Sequence, residues 1–156
     1  MNIKYELTDE TKNFCGITLH RIRALRDIPS AGVKSGDLGG WIEKESNLSK
    51  YGGAWVYGGA LVYGGAWVCG DAEVCGDAKV IASQDYAVYK NSWSSGRWFT
   101  YTHSNKKWAV GCFYGTGEEL IKKAYADSEL SGKCYEAIVR TQEAIDKAIE
   151  EAEEAK

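Results

Sequence analysis

The stretch that decides the fold runs from Tyr51 to Val80 and repeats every six residues. Its copies are Tyr51-Gly-Gly-Ala-Trp-Val56, Tyr57-Gly-Gly-Ala-Leu-Val62, Tyr63-Gly-Gly-Ala-Trp-Val68, Cys69-Gly-Asp-Ala-Glu-Val74 and Cys75-Gly-Asp-Ala-Lys-Val80. Glycines at this spacing would destabilise a helix and interrupt a continuous strand. A coil of short strands joined by glycine corners accommodates them, with alanine and valine pointing inward. The repeat therefore predicts a short left-handed β-helix.

The apolar spacing extends this β-helix upstream, because Ile42 and Leu48 continue the period. We expect residues 1–37 to form an N-terminal cap, residues 38–83 the left-handed β-helix, and residues 84–156 a β-meander with two helices. Ends of a solenoid expose unpaired backbone and need such caps. The predicted fold class is therefore mainly β with a C-terminal α part.

The outward positions of the repeat are unusually apolar. With three hexapeptides per turn, residues 18 apart lie above one another, and one turn displays Trp55, Leu61 and Trp67. A ring of large apolar side chains requires a cover. The cover is either the flanking segments of the same chain or neighbouring subunits, and both alternatives stay open.

The flanks have simpler patterns. Residues 17–25 alternate like a strand, and residues 86–92, 97–103 and 107–114 predict three strands of an antiparallel meander. Thr116 and Ser131 are the predicted caps of two helices. The second helix carries a heptad-like stripe of Tyr135, Ile138, Gln142, Ile145, Ile149 and Ala152.

Part of this stripe joins the outward apolar ring as a predicted assembly surface, which consists of Trp55, Leu61, Trp67, Ile138, Ile145 and Ile149. Such a surface predicts a homo-oligomer, either a trimer or a dimer.

Composition excludes several functional classes. The net charge of −3 argues against general affinity for nucleic acid. No apolar stretch is long enough for a membrane span, and no signal segment precedes the repeat, so we expect a cytoplasmic protein. The five cysteines form no CxxC pair, and no motif has the spacing of a catalytic or metal site. We therefore predict no catalytic residues, no metal and no cofactor.

The segment from Tyr86 to Gly117 contains no Asp or Glu but many cations and aromatic residues. Cations pair with phosphate and aromatic faces stack on bases. The predicted ligand-binding residues are Arg97, Trp98, Tyr101, His103, Lys106, Lys107 and Trp108. The alternative is that the rings are core and the cations belong to turns.

A known family resembles the first half of the chain. The run Arg23-Ala-Leu-Arg-Asp-Ile-Pro-Ser-Ala-Gly-Val-Lys-Ser-Gly-Asp-Leu-Gly-Gly-Trp-Ile-Glu-Lys-Glu-Ser-Asn-Leu-Ser49, followed by Gly-[Gly/Asp]-Ala-x-Val repeats, is similar to small hexapeptide-repeat proteins of phages and prophages. Their longer bacterial relatives are left-handed β-helices described as transferase-like or polymer-forming. The resemblance covers residues 3–82 and implies a fold and a phage origin, but no catalytic residues.

Three functions follow as hypotheses. The first is a phage protein that sequesters a small anionic, nucleotide-like immune signal of its host without cleaving it. The second is a protein-binding inhibitor of a host factor or a virion assembly component. The third is a degenerate hexapeptide acyltransferase, although His20 and His103, the only histidines, both lie outside the repeat.

Overall fold

The chain begins with a long antiparallel hairpin in the computed structural model, which describes residues 1–156. Strand β1 (Tyr5–Phe14) pairs with β2 (Ile17–Ala24), and β3 (Leu38–Ile42) pairs antiparallel with β2. Both residues of the turn between β1 and β2, Cys15 and Gly16, have positive φ, as tight hairpin turns require. The sequence predicts β2 but not β1, whose segment is mostly polar.

The hexapeptide segment forms four strands of two residues each. They are β4 (Trp55–Val56), β5 (Leu61–Val62), β6 (Glu73–Val74) and β7 (Lys79–Val80). Strand β4 pairs parallel with β6, and β5 lies between β3 and β7, parallel to both. Partners 18 residues apart, such as Trp55 and Glu73, therefore lie side by side.

The predicted mainly β fold built on a left-handed β-helix is wrong. The molecule is mixed α/β with three separate sheets of 5, 4 and 2 strands, and no regular solenoid is formed. The largest sheet has the order β1-β2-β3-β5-β7, so the N-terminal hairpin and part of the repeat share one sheet. The repeat strands have two residues each and are too short to make an extended ladder by themselves. The longer N-terminal strands extend the sheet that contains β5 and β7.

The inward side chains of the repeat form the centre of the main core. Each of the five alanines and five valines of the copies is at most 2% exposed. The period predicts this set correctly, because alternation within each short strand places alanine and valine on the same side. The core is closed from the N-terminal side by Tyr5, Ile22 and Ile28.

The C-terminal half is a second unit with its own core. Strands β8 (Tyr86–Lys90), β9 (Trp98–Thr102), β10 (Lys107–Val110) and β11 (Phe113–Gly115) form one antiparallel sheet in the order β11-β10-β9-β8. The predicted third strand is thus two strands, because Gly111 adopts a positive φ of 56° and turns the chain.

Two helices cover one face of this sheet. Helix α1 (Gly117–Asp127) is capped by Thr116, whose Oγ1 accepts from the backbone N–H of Glu119 at 3.2 Å. Helix α2 (Glu129–Glu154) is capped by Ser128, so the prediction of Ser131 as its cap is wrong. Neither helix is long and apolar enough to cross a membrane.

The buried face of α2 differs from the predicted stripe. Its inward residues are Gly132, Tyr135, Val139, Gln142 and Asp146. By contrast, Ile145 and Ile149 are 43% and 44% exposed. The observed stripe has spacings of four, three and four from Tyr135 onward, which place Val139 and the carboxylate of Asp146 where the prediction had Ile138 and Ile145.

Side-chain hydroxyls close the last edge of the repeat. In the earlier copies the backbone N–H groups of Trp55 and Leu61 donate to backbone carbonyls of the following strands. No further strand follows for Trp67, Glu73 and Lys79. Their N–H groups donate to Ser83 Oγ at 3.1 Å, Thr100 Oγ1 at 2.9 Å and Ser104 Oγ at 2.8 Å, respectively. These three hydroxyl caps satisfy donors that an open sheet edge would leave unpaired.

We expect Thr100→Val to lower the free energy of unfolding by about 1–2 kcal/mol, because valine keeps the shape but leaves the partly buried N–H of Glu73 without an acceptor. Denaturant unfolding measures this change. The control is Thr18→Val, an exposed position of β2 without a side-chain hydrogen bond, where the expected change is within about 0.5 kcal/mol. Equal effects of the two substitutions would show that the cap contributes nothing.

Candidate functional site

Apart from His103, the structure divides the predicted ligand-binding residues into two groups. Tyr101 and Trp108 lie in the core of the C-terminal unit, with ring centroids 4.8 Å apart, and pack beside Phe99. Neither ring has a face free for a ligand. Lys106 Nζ is paired with Glu150 at 3.0 Å, and Lys107, directly after the β9–β10 turn, is the first residue of β10. For these four residues the alternative of core rings and turn cations describes the structure.

The other group, Arg97 and Trp98, borders an open groove of about 470 Å³ at the start of β9. The groove lies between the β8–β9 turn, the Gly111–Cys112 turn, the loop 29–32 and the repeat residues Asp71 and Glu73. It therefore joins the three parts of the chain. We call it the Arg97 groove.

The guanidinium of Arg97 has no partner in the protein. It makes no ion pair and no side-chain hydrogen bond, and only its backbone is bonded. Its Nη1 atom lies against Gly111, where a Cβ would collide with it. A glycine at this position thus leaves room for an arginine that points along the groove instead of folding onto an acidic side chain.

Trp98 supplies an aromatic surface beside this charge. Its side chain is 42% exposed, and Lys90 Nζ lies 5.6 Å from its ring centroid. Lys90 is the cross-strand partner of Trp98 in the β8–β9 pair, which fixes the two side chains near each other. The β9 start thus presents two cations with an indole.

The opposite side of the groove is acidic. Burial raises the pKa of the Glu73 carboxyl, and its hydrogen bond from Tyr57 and the charge of Arg97 act in the opposite direction. Asp71 Oδ1 accepts from the backbone N–H of Gly53 at 3.1 Å. Both carboxyl groups can accept hydrogen bonds from a ligand.

His103 belongs to a separate network in the C-terminal unit. The buried carboxylate of Asp146 accepts hydrogen bonds from the Tyr101 hydroxyl at 2.5 Å, from Gln142 Nε2 at 2.9 Å and from His103 Nδ1 at 3.2 Å. Gln142 Oε1 in turn accepts from the Tyr89 hydroxyl at 2.5 Å. Sequence analysis missed Asp146. The four-three-four spacing from Tyr135 could have identified it as an inward residue of α2.

Two ionisable groups near the repeat have structural explanations. Lys4 is fully buried and donates to the carbonyls of Ser49 and Tyr51 at 2.9 and 3.3 Å. Burial, with the nearby charge of Arg26, lowers the pKa of Lys4 to about 8. Burial also raises the pKa of the Cys75 thiol to about 12, so this thiol is not a nucleophile at neutral pH.

The predicted assembly residues are also divided. Trp55 is buried under Tyr5, with ring centroids 6.5 Å apart, and Leu61 is buried beside Leu19. The flanking segment therefore covers two of the three outward residues. Trp67 remains 54% exposed. Of the helix residues, Ile138 is half-buried, and Ile145 and Ile149 are exposed.

The resemblance of residues 3–82 to phage hexapeptide-repeat proteins stays a prediction. The chain matches no protein-family model and no curated protein. Within the structure, no group of three or more His, Cys, Asp or Glu side chains is arranged to hold a metal ion.

Proposed function

We propose that the protein is a non-enzymatic binding protein for a small, phosphorylated, planar ligand in the Arg97 groove. The observation that carries this proposal is the unpaired guanidinium of Arg97 in a groove of about 470 Å³. Guanidinium groups bind phosphate through two parallel hydrogen bonds, and a guanidinium without a protein partner loses no internal ion pair on binding.

Trp98 supports a planar ring as the second part of this ligand. A half-exposed indole offers a face on which a base can stack, and stacking of this kind contributes about 1–3 kcal/mol per base. Lys90 adds a positive charge beside the same ring. Arg97, directly before β9, and Trp98, the first residue of β9, both line the groove, so one ligand can contact both.

The carboxyl groups of Asp71 and Glu73 support a base with polar edges. A carboxylate accepts hydrogen bonds from the exocyclic amino groups of a base. The same two groups disfavour a ligand that consists of phosphates alone, because they would repel it. The volume of the groove lies within the range of small-ligand pockets.

In biological terms, we propose that binding without turnover sequesters the ligand. The resemblance to phage hexapeptide-repeat proteins makes a nucleotide-like immune signal of a bacterial host the candidate ligand. This role places the protein in the cytoplasm of an infected or lysogenic cell.

A second candidate function is protein binding or assembly through the exposed Trp67. Large aromatic side chains that remain solvent-exposed are typical centres of protein interfaces. Trp67 does not line the Arg97 groove, so the two functions are compatible.

Isothermal titration calorimetry tests the first proposal with nucleoside monophosphates, cyclic nucleotides and ADP-ribose. We expect one ligand class to bind with a dissociation constant of about 10 μM or lower. Arg97→Ala should weaken binding about 10- to 100-fold, because a charge-assisted hydrogen bond is lost. Trp98→Ala should weaken it about tenfold or more.

The matched control is Arg140→Ala, because Arg140 is an exposed arginine of α2 that pairs with Glu118. Its binding should equal that of the wild type. Absence of binding across the panel at about 100 μM would reject the proposal. Full affinity in Arg97→Ala would place the ligand elsewhere.

A further inference from the structure

A second cleft, independent of the Arg97 groove, opens between α2 and the strand β8. Its volume is about 360 Å³, and His103 lies beside it with 35% of its side chain exposed. The cleft borders the buried Asp146 network at one end. The exposed isoleucines of α2, Ile145 and Ile149, border it along the helix.

The Asp146 network fixes the hydrogen-bonding state of the His103 ring. The Tyr89 hydroxyl donates to Gln142 Oε1, so the amide nitrogen of Gln142 faces Asp146 and donates to it. The pKa of Tyr101 is raised, chiefly by burial and further by its bond to Asp146, and its hydroxyl is therefore a donor. With the carboxylate as the common acceptor, His103 Nδ1 must carry the proton that it shares with Asp146.

The other ring nitrogen of His103 is therefore a hydrogen-bond acceptor in the neutral imidazole. Nε2 has no hydrogen-bond partner in the protein. A carboxylate that orients one nitrogen while the other remains open is the arrangement of a preorganised binding or proton-accepting group. The ligand atom that meets Nε2 must consequently be a donor.

The charges around the cleft indicate the sign of that donor. Asp85, Asp146 and Glu153 border the cleft, and no lysine or arginine does. Asp146 and Asp85 are already hydrogen-bonded within the protein, Asp85 to backbone N–H groups of residues 81 and 82, but both still contribute negative potential. A cation is favoured and an anion is disfavoured.

The geometry points to a binding site for a small organic cation, in which an ammonium group donates to His103 Nε2 and an apolar body packs on Ile145 and Ile149. The two isoleucines are one helical turn apart and offer an apolar strip beside the polar end of the cleft. This ligand is opposite in charge to the one proposed for the Arg97 groove, so the two sites are distinguishable.

Calorimetry and NMR with three matched probes test the inference on the full-length protein. They are 4-phenylbutylamine, the neutral 4-phenylbutanol and the anionic 4-phenylbutyrate. We expect the amine to bind in the range of about 1 mM or tighter, the alcohol about tenfold more weakly, and the carboxylate not detectably. Nuclear Overhauser contacts should connect the phenyl protons to the methyl groups of Ile145 and Ile149.

Two variants locate the site. His103→Phe keeps a ring but removes the acceptor and should weaken amine binding about tenfold. Glu153→Gln changes an exposed side chain without a structural bond and should weaken it about twofold. Arg97→Ala is the control and should bind the amine as the wild type does. If His103→Phe fails to fold, the Glu153→Gln effect and the methyl contacts still decide the question.

Several results would overturn the inference. One is equal affinity for the amine and the alcohol, and another is the absence of contacts to the isoleucine methyl groups. A third is occupation of the cleft by a second copy of the chain, shown by a dimer in light scattering that Ile149→Ser converts to a monomer.

Discussion

Trp55→Ala is expected to lower the free energy of unfolding by about 3–5 kcal/mol, the usual cost of truncating a buried tryptophan. Trp55 is 1% exposed and packs edge-to-face on Tyr5, whose hydroxyl is bonded to the carbonyls of Glu45 and Leu48. Truncation would leave a large cavity between the N-terminal strand and the repeat. Guanidinium chloride unfolding, followed by circular dichroism, measures the loss.

The repeat itself provides the matched control. Trp67 occupies the same position two copies later but is 54% exposed, so Trp67→Ala should change the free energy of unfolding by less than about 1 kcal/mol. Light scattering on this variant also reports whether Trp67 mediates assembly. A similar loss of unfolding free energy in both variants would contradict the different burial of Trp55 and Trp67.

Asp146→Ala is expected to cost about 2–4 kcal/mol, because three donors lose a charged acceptor inside the protein. The Tyr101 hydroxyl, the Gln142 amide and the proton on His103 Nδ1 all point at this carboxylate. Water that enters the space left by the Asp146 carboxylate would replace only part of the lost hydrogen bonding. Thermal and denaturant unfolding measure the change.

Asp127→Ala serves as the control for this substitution. Asp127 lies near the end of α1, is exposed and makes no ion pair, so its replacement should stay within about 0.5 kcal/mol. Tyr101→Phe removes a single donor and should cost about 1 kcal/mol. A wild-type stability for Asp146→Ala would mean that the network does not hold α2 on the sheet.

The interior of the repeat was predictable because it depends only on local alternation. Alanine and valine of every copy are buried as the period requires. The unequal exposure of Trp55 and Trp67 was not predictable, because it depends on where Tyr5 lies, fifty residues away in sequence. The same dependence on remote contacts allowed the N-terminal strands to join the repeat in one sheet, contrary to the predicted solenoid.

The sequence predicted which types of residue form the candidate site, but not which of them lie together. Of the seven residues predicted in the acid-free segment, Arg97 and Trp98 are exposed and line one groove. The sequence could not distinguish Arg97 from Lys106, since the partner of Lys106 is Glu150, which lies 44 residues further along the chain. On α2, hydrophobicity predicted that Ile145 and not its neighbour Asp146 is buried. In the structure Asp146 is buried, and three hydrogen bonds satisfy its carboxylate.

The hydroxyl caps have a consequence for the nascent chain. Residues 1–82 leave the ribosome first, and their core can begin to form before Ser83, Thr100 and Ser104 have emerged from the exit tunnel. Until then the N–H groups of Trp67, Glu73 and Lys79 face solvent as an open strand edge, which can recruit the same edge of another chain. A chain truncated between residues 83 and 104 would therefore expose part of this edge and be prone to aggregation, whereas truncation after Glu150 would leave all three caps in place.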